Sequence, residues 1–381
     1  MKITVIADVL GEENNGTTTA CMNLVRYLRT KGHTVSIVCC DQDKSGIDDF
    51  FVVGTYNLGP IINHMVMKNN VSLAKPDKSI ITSAIEYTDI VHIMMPFALG
   101  KTAMKIARKM NKPVTAGFHV QAENFTSHIG MMNLSIANYL TYRNFYKKLY
   151  KHVDGIHYPT SFIRETFEKT VHHQTNGFVI SNGVHNRFAL REVDKPDKLK
   201  NKFIILFTGR YSKEKSHKVL IKAVAKSKYK NDIQLIFAGQ GPCDGDIKQC
   251  AKKYKISMPI MNFYPKDDLV DVINYSDLYC HPAEIEIEAI ACLEAITCGL
   301  VPVISNSPRC ATKAFAIDEK NLFRCNDYKD LANKIDYWIE HPLERAERSK
   351  EYVGYSRQFN QDECMEAMEK MMIKCIEEHN K

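Results

Sequence analysis

The sequence predicts an α/β protein of two domains, each with a parallel sheet, that leaves a cleft between them. Three observations predict this. The 381 residues are long for a single core, and two domains of roughly 150–200 residues each are the ordinary solution. Short apolar runs alternate with stretches whose apolar residues recur at helical spacing. One almost wholly charged stretch with a proline, 190–202, interrupts the series, which then starts again.

Taken in order, residues 2–8 are an apolar run, 11–16 a polar loop with Gly11 and Gly16, and 19–31 place Cys21, Leu24, Val25 and Leu28 on one helical face. A second strand over 33–40 completes a strand, loop, helix, strand unit, the building block of a parallel sheet. Further strands fit 89–95, 113–118, 154–158 and 177–180. Beyond the charged stretch come strands over 203–208, 233–238, 277–280 and 301–305, with helices over 216–226 and 244–254. The last helix, 361–379, repeats Met365, Met368, Met371 and Met372 at helical spacing, which reads as core packing. The expected division is 1–190 and 191–355, with 356–381 as a terminal helix.

Composition excludes several classes. No apolar run approaches the roughly 18–20 residues of a membrane helix, and the amino terminus reads as a buried strand, not a secretory leader. The twelve cysteines are scattered and form no C-x-x-C pair, so reduced thiols in a cytoplasmic protein are expected. Residues 1–190 hold 20 Lys and Arg against 14 Asp and Glu, whereas 191–381 hold 31 against 30. The basic excess therefore sits in the first half, where it suits an anionic surface such as lipid headgroups or is simply a solvated face. No basic stripe with interleaved base-stacking residues points to nucleic acid.

The most informative segment runs from His281 to Ile304. Glu286 and Glu294 stand with seven residues between them, ahead of Gly299 and an apolar strand. Eight helical steps turn roughly 80° past two circles, so the two carboxylates do not share a helix face; Glu286 is expected in a loop and Glu294 in the helix. That junction aims the backbone N–H groups of Glu288, Ala289 and Ile290 outward, where a pyrophosphate is well held. Carboxylates accept hydrogen bonds from sugar and ribose hydroxyls. Solvated glutamates on a surface helix are the alternative, although an unpaired carboxylate among apolar neighbours is costly.

The segment resembles the Glu, seven residues, Glu signature of family-4 glycosyltransferases. The likeness continues through Gly209, Arg210 and Lys215, through Gly239-Gln-Gly-Pro, through Asn182-Gly-Val, and through Asn15, Gly16 and Thr17 ahead of the first helix. It implies the GT-B fold, two Rossmann-like domains with parallel sheets facing across a cleft, and a terminal helix that crosses back to the first domain. It also implies a retaining hexosyltransferase. Arg210 and Lys215 would clamp the donor diphosphate without a metal, and no cofactor would be needed. Gly16, Thr17, Gly209, Gly239, Ile287, Glu288, Ala289 and Ile290 would line the donor site. Glu286 would hold the sugar, Glu294 the ribose, and His119, at the end of a strand, would support the sugar near its reacting carbon. The chain departs from the family pattern in two places: Ser216 stands where a glycine usually follows the lysine, and Glu288-Ala289 where a Phe-Gly pair is usual.

The wording around Glu286 and Phe118-His-Val-Gln-Ala-Glu-Asn resembles bacterial enzymes that glycosylate diacylglycerol, which implies UDP-glucose as donor, a lipid acceptor, and a peripheral place on the inner face of the cell membrane. Residues 131–151 mix Tyr139, Tyr142, Phe145, Tyr146 and Tyr150 with Arg143, Lys147, Lys148 and Lys151; such a helix either lies on an anionic bilayer with its aromatics in the interface or packs them into a core. Residues 56–67 form a second lipid-facing candidate. Assembly of capsular or wall polysaccharide, and isomerisation or simple binding of a nucleotide sugar, are the competing readings.

Overall fold

The computed structural model describes residues 1–8, 10, 16–57, 73–127 and 131–381. Most of the glycine loop, including Asn15, and most of the stretch 56–67 lie outside the described residues. The chain divides into two compact units, one formed by Met1–Asn182 with Asp362–Lys381 and the other by Gly183–Gln361.

In the first unit the described strands are β1 (Lys2–Ile6), β2 (Thr34–Cys39), β3 (Phe50–Val52), β4 (Ile90–Ile93), β5 (Val114–Gly117), β6 (Gly155–Tyr158) and β7 (Gly177–Val179). They form a sheet in the order β3-β2-β1-β4-β5-β6-β7, every pairing parallel. Ile3, Val5 and Ile6 are all buried, because helices cover both faces of such a sheet and leave no polar side for alternate residues. The second unit repeats the plan with β8 (Phe203–Thr208), β9 (Ile233–Ala238), β10 (Ile260–Asn262), β11 (Leu278–His281), β12 (Pro302–Ser305) and β13 (Leu322–Phe323). Their order is β10-β9-β8-β11-β12-β13, again parallel. Both units are therefore Rossmann-like, and the strands read from sequence fall within a residue or two of these. The short edge strands β3, β10 and β13 are additions to the strands expected from sequence.

All twelve cysteines are free thiols, and only Cys243 and Cys325 are less than buried. The aromatic stretch does not lie at an interface as a whole. Its helix, Ser135–Lys148, turns Tyr142 and Phe145 inward, and Tyr150 follows them. Tyr142 and Tyr150 pack on Phe118, whose ring centroid is 4.9 Å from that of Tyr150 and 4.6 Å from that of Phe167, and Phe145 meets Phe125. Burying several large rings together outweighs their placement at a surface. The exposed side chains here are aliphatic instead: Leu134, Ile136 and Leu140 are 47%, 63% and 59% exposed, near exposed Arg143, Lys147 and Lys148.

The terminal helix, Gln361–His379, belongs to the first unit and buries Met365, Met368, Met371, Met372 and Cys375 in a core shared with Ile3, Leu24, Leu28 and Ile37. His33 Nε2 lies 2.6 Å from Glu369 and ties the same helix to the turn before β2. Truncating a fully buried methionine removes its contacts and leaves a cavity, so Met372→Ala should destabilise the first unit by about 2–4 kcal/mol. Denaturant unfolding followed for that unit checks this; an unchanged midpoint would show that the helix contributes little to the core.

Candidate active site at the carboxyl edge of the second sheet

Strand order in the second unit reverses between β8 and β11, and open parallel sheets bind ligands outside the carboxyl ends of the strands at such a point. Gly209 and Arg210 follow β8 there, Gly239 follows β9, and His281 closes β11. Gly209 and Gly239 have φ of +147° and +156°. A Cβ on Gly239 would lie 2.1 Å from the Gly209 carbonyl oxygen, so the two loops touch backbone to backbone. The contact is fastened by Tyr211 N–H donating to the Gln240 carbonyl at 2.9 Å. Arg210 is half-buried, and this desolvation lowers the pKa of its guanidinium against the opposing charge of Glu214.

Lys215 ends a tight turn, Lys213–Lys215, and Ser216 follows in a left-handed conformation, φ +54°. The loop bearing Glu286 is held from both sides. Glu284 N–H donates to the Glu214 carbonyl at 2.8 Å, Glu286 N–H to the Arg309 carbonyl at 3.3 Å, and Ala311 N–H to the Glu286 carbonyl at 2.9 Å. The Glu286 carboxylate accepts the Lys215 ammonium on Oε1. His281 Nε2 is 3.6 Å from the same oxygen. Among the described residues Oε2 has no hydrogen bond. Burial alone would raise the pKa of Glu286, but Lys215 first and His281 second outweigh it and hold the carboxyl down at about 2. At neutral pH this is a fixed anion with one oxygen engaged and the other available to a donor.

Beyond it Ile287 is half-buried and Glu288 buried, and Ala289 takes φ +64° immediately before helix Ile290–Thr297. Cys292 and Leu293 donate back to the Ala289 carbonyl, so the amides of Ile290 and Ala291 have no acceptor inside the helix. Glu286 thus lies in the loop and Glu294 in the helix. Glu294 is half-buried beside Lys266 and Arg187, whose attraction only partly offsets burial, and its pKa is pushed up to about 7. The structure therefore brings Lys215 and Glu286 together, as it does Gly209 and Gly239, and sets Glu294 in a separate environment.

In the first unit Gly16 and Thr17 open helix Gly16–Thr30. His119 follows β5, and its ring folds back over Gly117, where a Cβ would lie 2.4 Å from His119 Nε2. Burial, then the neighbouring His157 and His92, hold its imidazole well below the ordinary histidine pKa. It is a neutral group.

Two residues here carried no role in the sequence. Glu284 accepts Arg309 at 3.0 Å, Asn326 at 2.9 Å and Ser216 Oγ at 3.4 Å, tying the Glu286 loop to three segments. His281 opens the informative segment, and its place at a strand end was the available signal.

Removing one partner of a buried ion pair strands the other charge. Lys215→Met should therefore cost about 3–5 kcal/mol at neutral pH, and distinctly less in a Glu286→Gln background; equal costs in both backgrounds, read by denaturant unfolding, would show the pair to be uncoupled. Glu294 predicts the opposite pH sense from Glu286. A carboxyl whose pKa is raised on folding contributes stability in full below its ordinary value of 4.5 and loses it as pH rises through about 7. Glu294→Gln should flatten the fall in thermal midpoint across that window, and an unaltered slope would assign the fall to other groups.

Comparison with known proteins bears on the family and the fold. Residues 190–355 match the family model described as glycosyl transferases group 1, and residues 14–187 match that of glycosyltransferase family 4. The chain is 24% identical to the α-monoglucosyldiacylglycerol synthase of Streptococcus pneumoniae, over 80% of this chain and 71% of that protein. It is also 24% identical to a GDP-mannose-dependent α-mannosyltransferase of Corynebacterium glutamicum, over 89% of this chain and 80% of that protein. Its fold is that of Anabaena HepE in complex with UDP, with TM-score 0.76 at 13% identity over 98% of this chain and 100% of that one. The chain belongs to the family-4 glycosyltransferases and has their GT-B fold.

Proposed function

We propose that this glycosyltransferase moves a hexose from a nucleotide sugar to the hydroxyl of a membrane lipid, with retention of anomeric configuration and without a divalent metal. UDP-glucose and diacylglycerol are the first pair to test. The observation that carries the reading is Glu286, an ionised carboxylate fixed through one oxygen at the strand ends where the sheet reverses. In this reading its Oε2 accepts sugar hydroxyls, Glu294 accepts those of the ribose, and His119 supports the sugar. Arg210, Lys215 and the amides of Glu288, Ala289 and Ile290 take the diphosphate, with the backbone of Gly209, Gly239, Ile287, Gly16 and Thr17 beside the donor.

No carboxylate is cast as a nucleophile. The bond from the anomeric carbon to the phosphate oxygen breaks, the bond to the acceptor oxygen forms on the same face, and the departing phosphate oxygen takes the acceptor proton. Cations and helix amides aimed at the growing diphosphate charge supply the stabilisation.

The lipid part rests on two supports. Relatives named α-monoglucosyldiacylglycerol synthase match 80% and 77% of this chain. In the first unit, exposed Leu134, Ile136 and Leu140 adjoin Arg143, Lys147 and Lys148, a mixture that suits the interface of an anionic bilayer. Among the described residues no helix is long and apolar enough to cross a membrane, and the proposed place is peripheral, on the inner face of the cell membrane.

The test is incubation of the full chain, with EDTA present, with UDP-glucose, UDP-galactose or GDP-mannose. Anionic vesicles carry diacylglycerol, a sterol as another lipid with one free hydroxyl, or neither, and products are read by mass spectrometry. Hexosyl-diacylglycerol from UDP-glucose, reduced about a hundredfold or more in Glu286→Ala, is the expected result. Transfer to the sterol alone would keep the lipid class and replace the acceptor. Product only with added metal, or only with an oligosaccharide acceptor, would defeat the reading.

A further inference from the structure

Behind Glu286 lies a buried polar chain that none of the roles above uses. Thr208 at the end of β8, Tyr279 within β11 and His281 at its end are at most 3% exposed. Thr208 Oγ1 is 3.1 Å from the Tyr279 hydroxyl, and that hydroxyl is 3.3 Å from His281 Nδ1. His281 Nε2, with no hydrogen bond of its own, faces Glu286 Oε1 at 3.6 Å. At the far end Thr208 Oγ1 is 3.4 Å from the carbonyl of Ala291, in the first turn of helix Ile290–Thr297.

The direction of the chain follows from its terminus. An imidazole with its proton on Nδ1 would point the Nε2 lone pair at a carboxylate oxygen, which is repulsive; the other tautomer points N–H at it. Nδ1 then accepts from the Tyr279 hydroxyl, whose oxygen in turn accepts the one hydroxyl proton of Thr208 at 3.1 Å, in place of the longer 3.4 Å bond to the Ala291 carbonyl. Burial keeps the imidazole uncharged and the phenol protonated, so each has the proton the chain requires. The groups facing His281 are Glu286, Lys215, His217 and Tyr279, and Cys292 faces Tyr279.

The chain answers a geometric need that Lys215 leaves open. An ammonium is a compact point charge with rotatable donors, so it anchors Oε1 without fixing the plane of the carboxylate. A second donor approaching the same oxygen from a rigid ring restricts that plane and so the direction of Oε2. We propose that His281, backed by Tyr279 and Thr208, is a positioning residue that orients Glu286 so that Oε2 faces the bound sugar. The inference rests on the reading of Glu286 given above and goes beyond it by naming what sets that group's orientation.

The test uses the full chain, 15N-labelled at histidine, and the transfer assay with UDP-glucose and diacylglycerol vesicles. Long-range proton–nitrogen correlation, with His281→Gln used to assign the signal, should find His281 as the neutral Nε2–H tautomer; an Nδ1–H tautomer overturns the proposal without recourse to activity. His281→Phe should lower kcat about a hundredfold, the scale of a misplaced reacting geometry, while calorimetric affinity for UDP changes by no more than about twofold. His281→Gln restores a donor near the Nε2 position and should recover most of that loss. Tyr279→Phe keeps the ring and removes only the hydroxyl, and should cost about tenfold in kcat. Wild-type kcat in both His281→Phe and Tyr279→Phe, or a glutamine variant no better than phenylalanine, would overturn the proposal. Full activity in Glu286→Ala would instead defeat the functional reading itself, whereas an inactive Glu286→Ala beside a fully active His281→Phe defeats this inference alone.

Discussion

The site in the second unit depends on one topological constraint. Right-handed crossovers lay β9 and β10 to one side of β8, and β11, β12 and β13 to the other, so the loops leaving β8 and β11 depart in opposite directions and a gap opens between them. Everything chemically distinctive sits on that gap. Gly209, Arg210 and Lys215 leave from β8, and His281, Glu286 and the start of helix Ile290–Thr297 leave from β11. The Gly209–Gly239 contact matters for the same reason: with a Cβ site only 2.1 Å from a carbonyl oxygen, any side chain at Gly239 would push the β9 loop away from the β8 loop and move the turn that carries Arg210 and Lys215.

Charge is placed on this scaffold in two contrasting ways. Glu286 is taken out of water and compensated by Lys215, whereas Glu294 is taken partly out of water with cations, Lys266 and Arg187, that only partly offset its burial. One carboxyl is thereby an anion at any physiological pH, and the other is poised between its two forms. Environments that push two carboxyls of one site apart commonly mark different tasks. In the proposed role of Glu286, gripping hydroxyls through many turnovers, a charge that does not fluctuate is an advantage. The Lys215–Glu286 pair is, in addition, neutral as a unit.

How far the sequence discloses this differs by feature. The long central strands are legible because burial on both faces makes them continuous apolar runs, as in Phe203-Ile-Ile-Leu-Phe. β3, β10 and β13 are edge strands of two or three residues, too short for a periodicity, and their pairing is decided by neighbours remote in sequence. The loop-and-helix split between Glu286 and Glu294 is legible from an angle of rotation. The pairing of Lys215 with Glu286 is not, because no spacing rule brings together residues 71 apart. Aromatic composition is equally ambiguous: the run from Tyr139 to Tyr150 reads as an interface or as a core, and the packing of Tyr142 and Tyr150 around Phe118 and Phe167, with Phe145 buried against Phe125, decides for the core.

The two missing glycines show how a departure from a family pattern can keep the geometry of that pattern. Ser216 and Ala289 occupy φ of +54° and +64°, the region where an L side chain costs about 1–2 kcal/mol and glycine does not. The backbone therefore retains the conformation that glycine suits, and the side chains bear the strain. Ser216 recovers part of the cost, since its hydroxyl donates to Glu284, the residue that also accepts Arg309 and Asn326 and so steadies the Glu286 loop. Ala289 has no such bond, but its methyl packs on the core of the second unit, fixing the residue from which helix Ile290–Thr297 begins. A left-handed alanine has fewer alternative conformations than a glycine. The amides that open that helix are thus held in one direction, which suits the proposed part they play in meeting a phosphate without rearrangement.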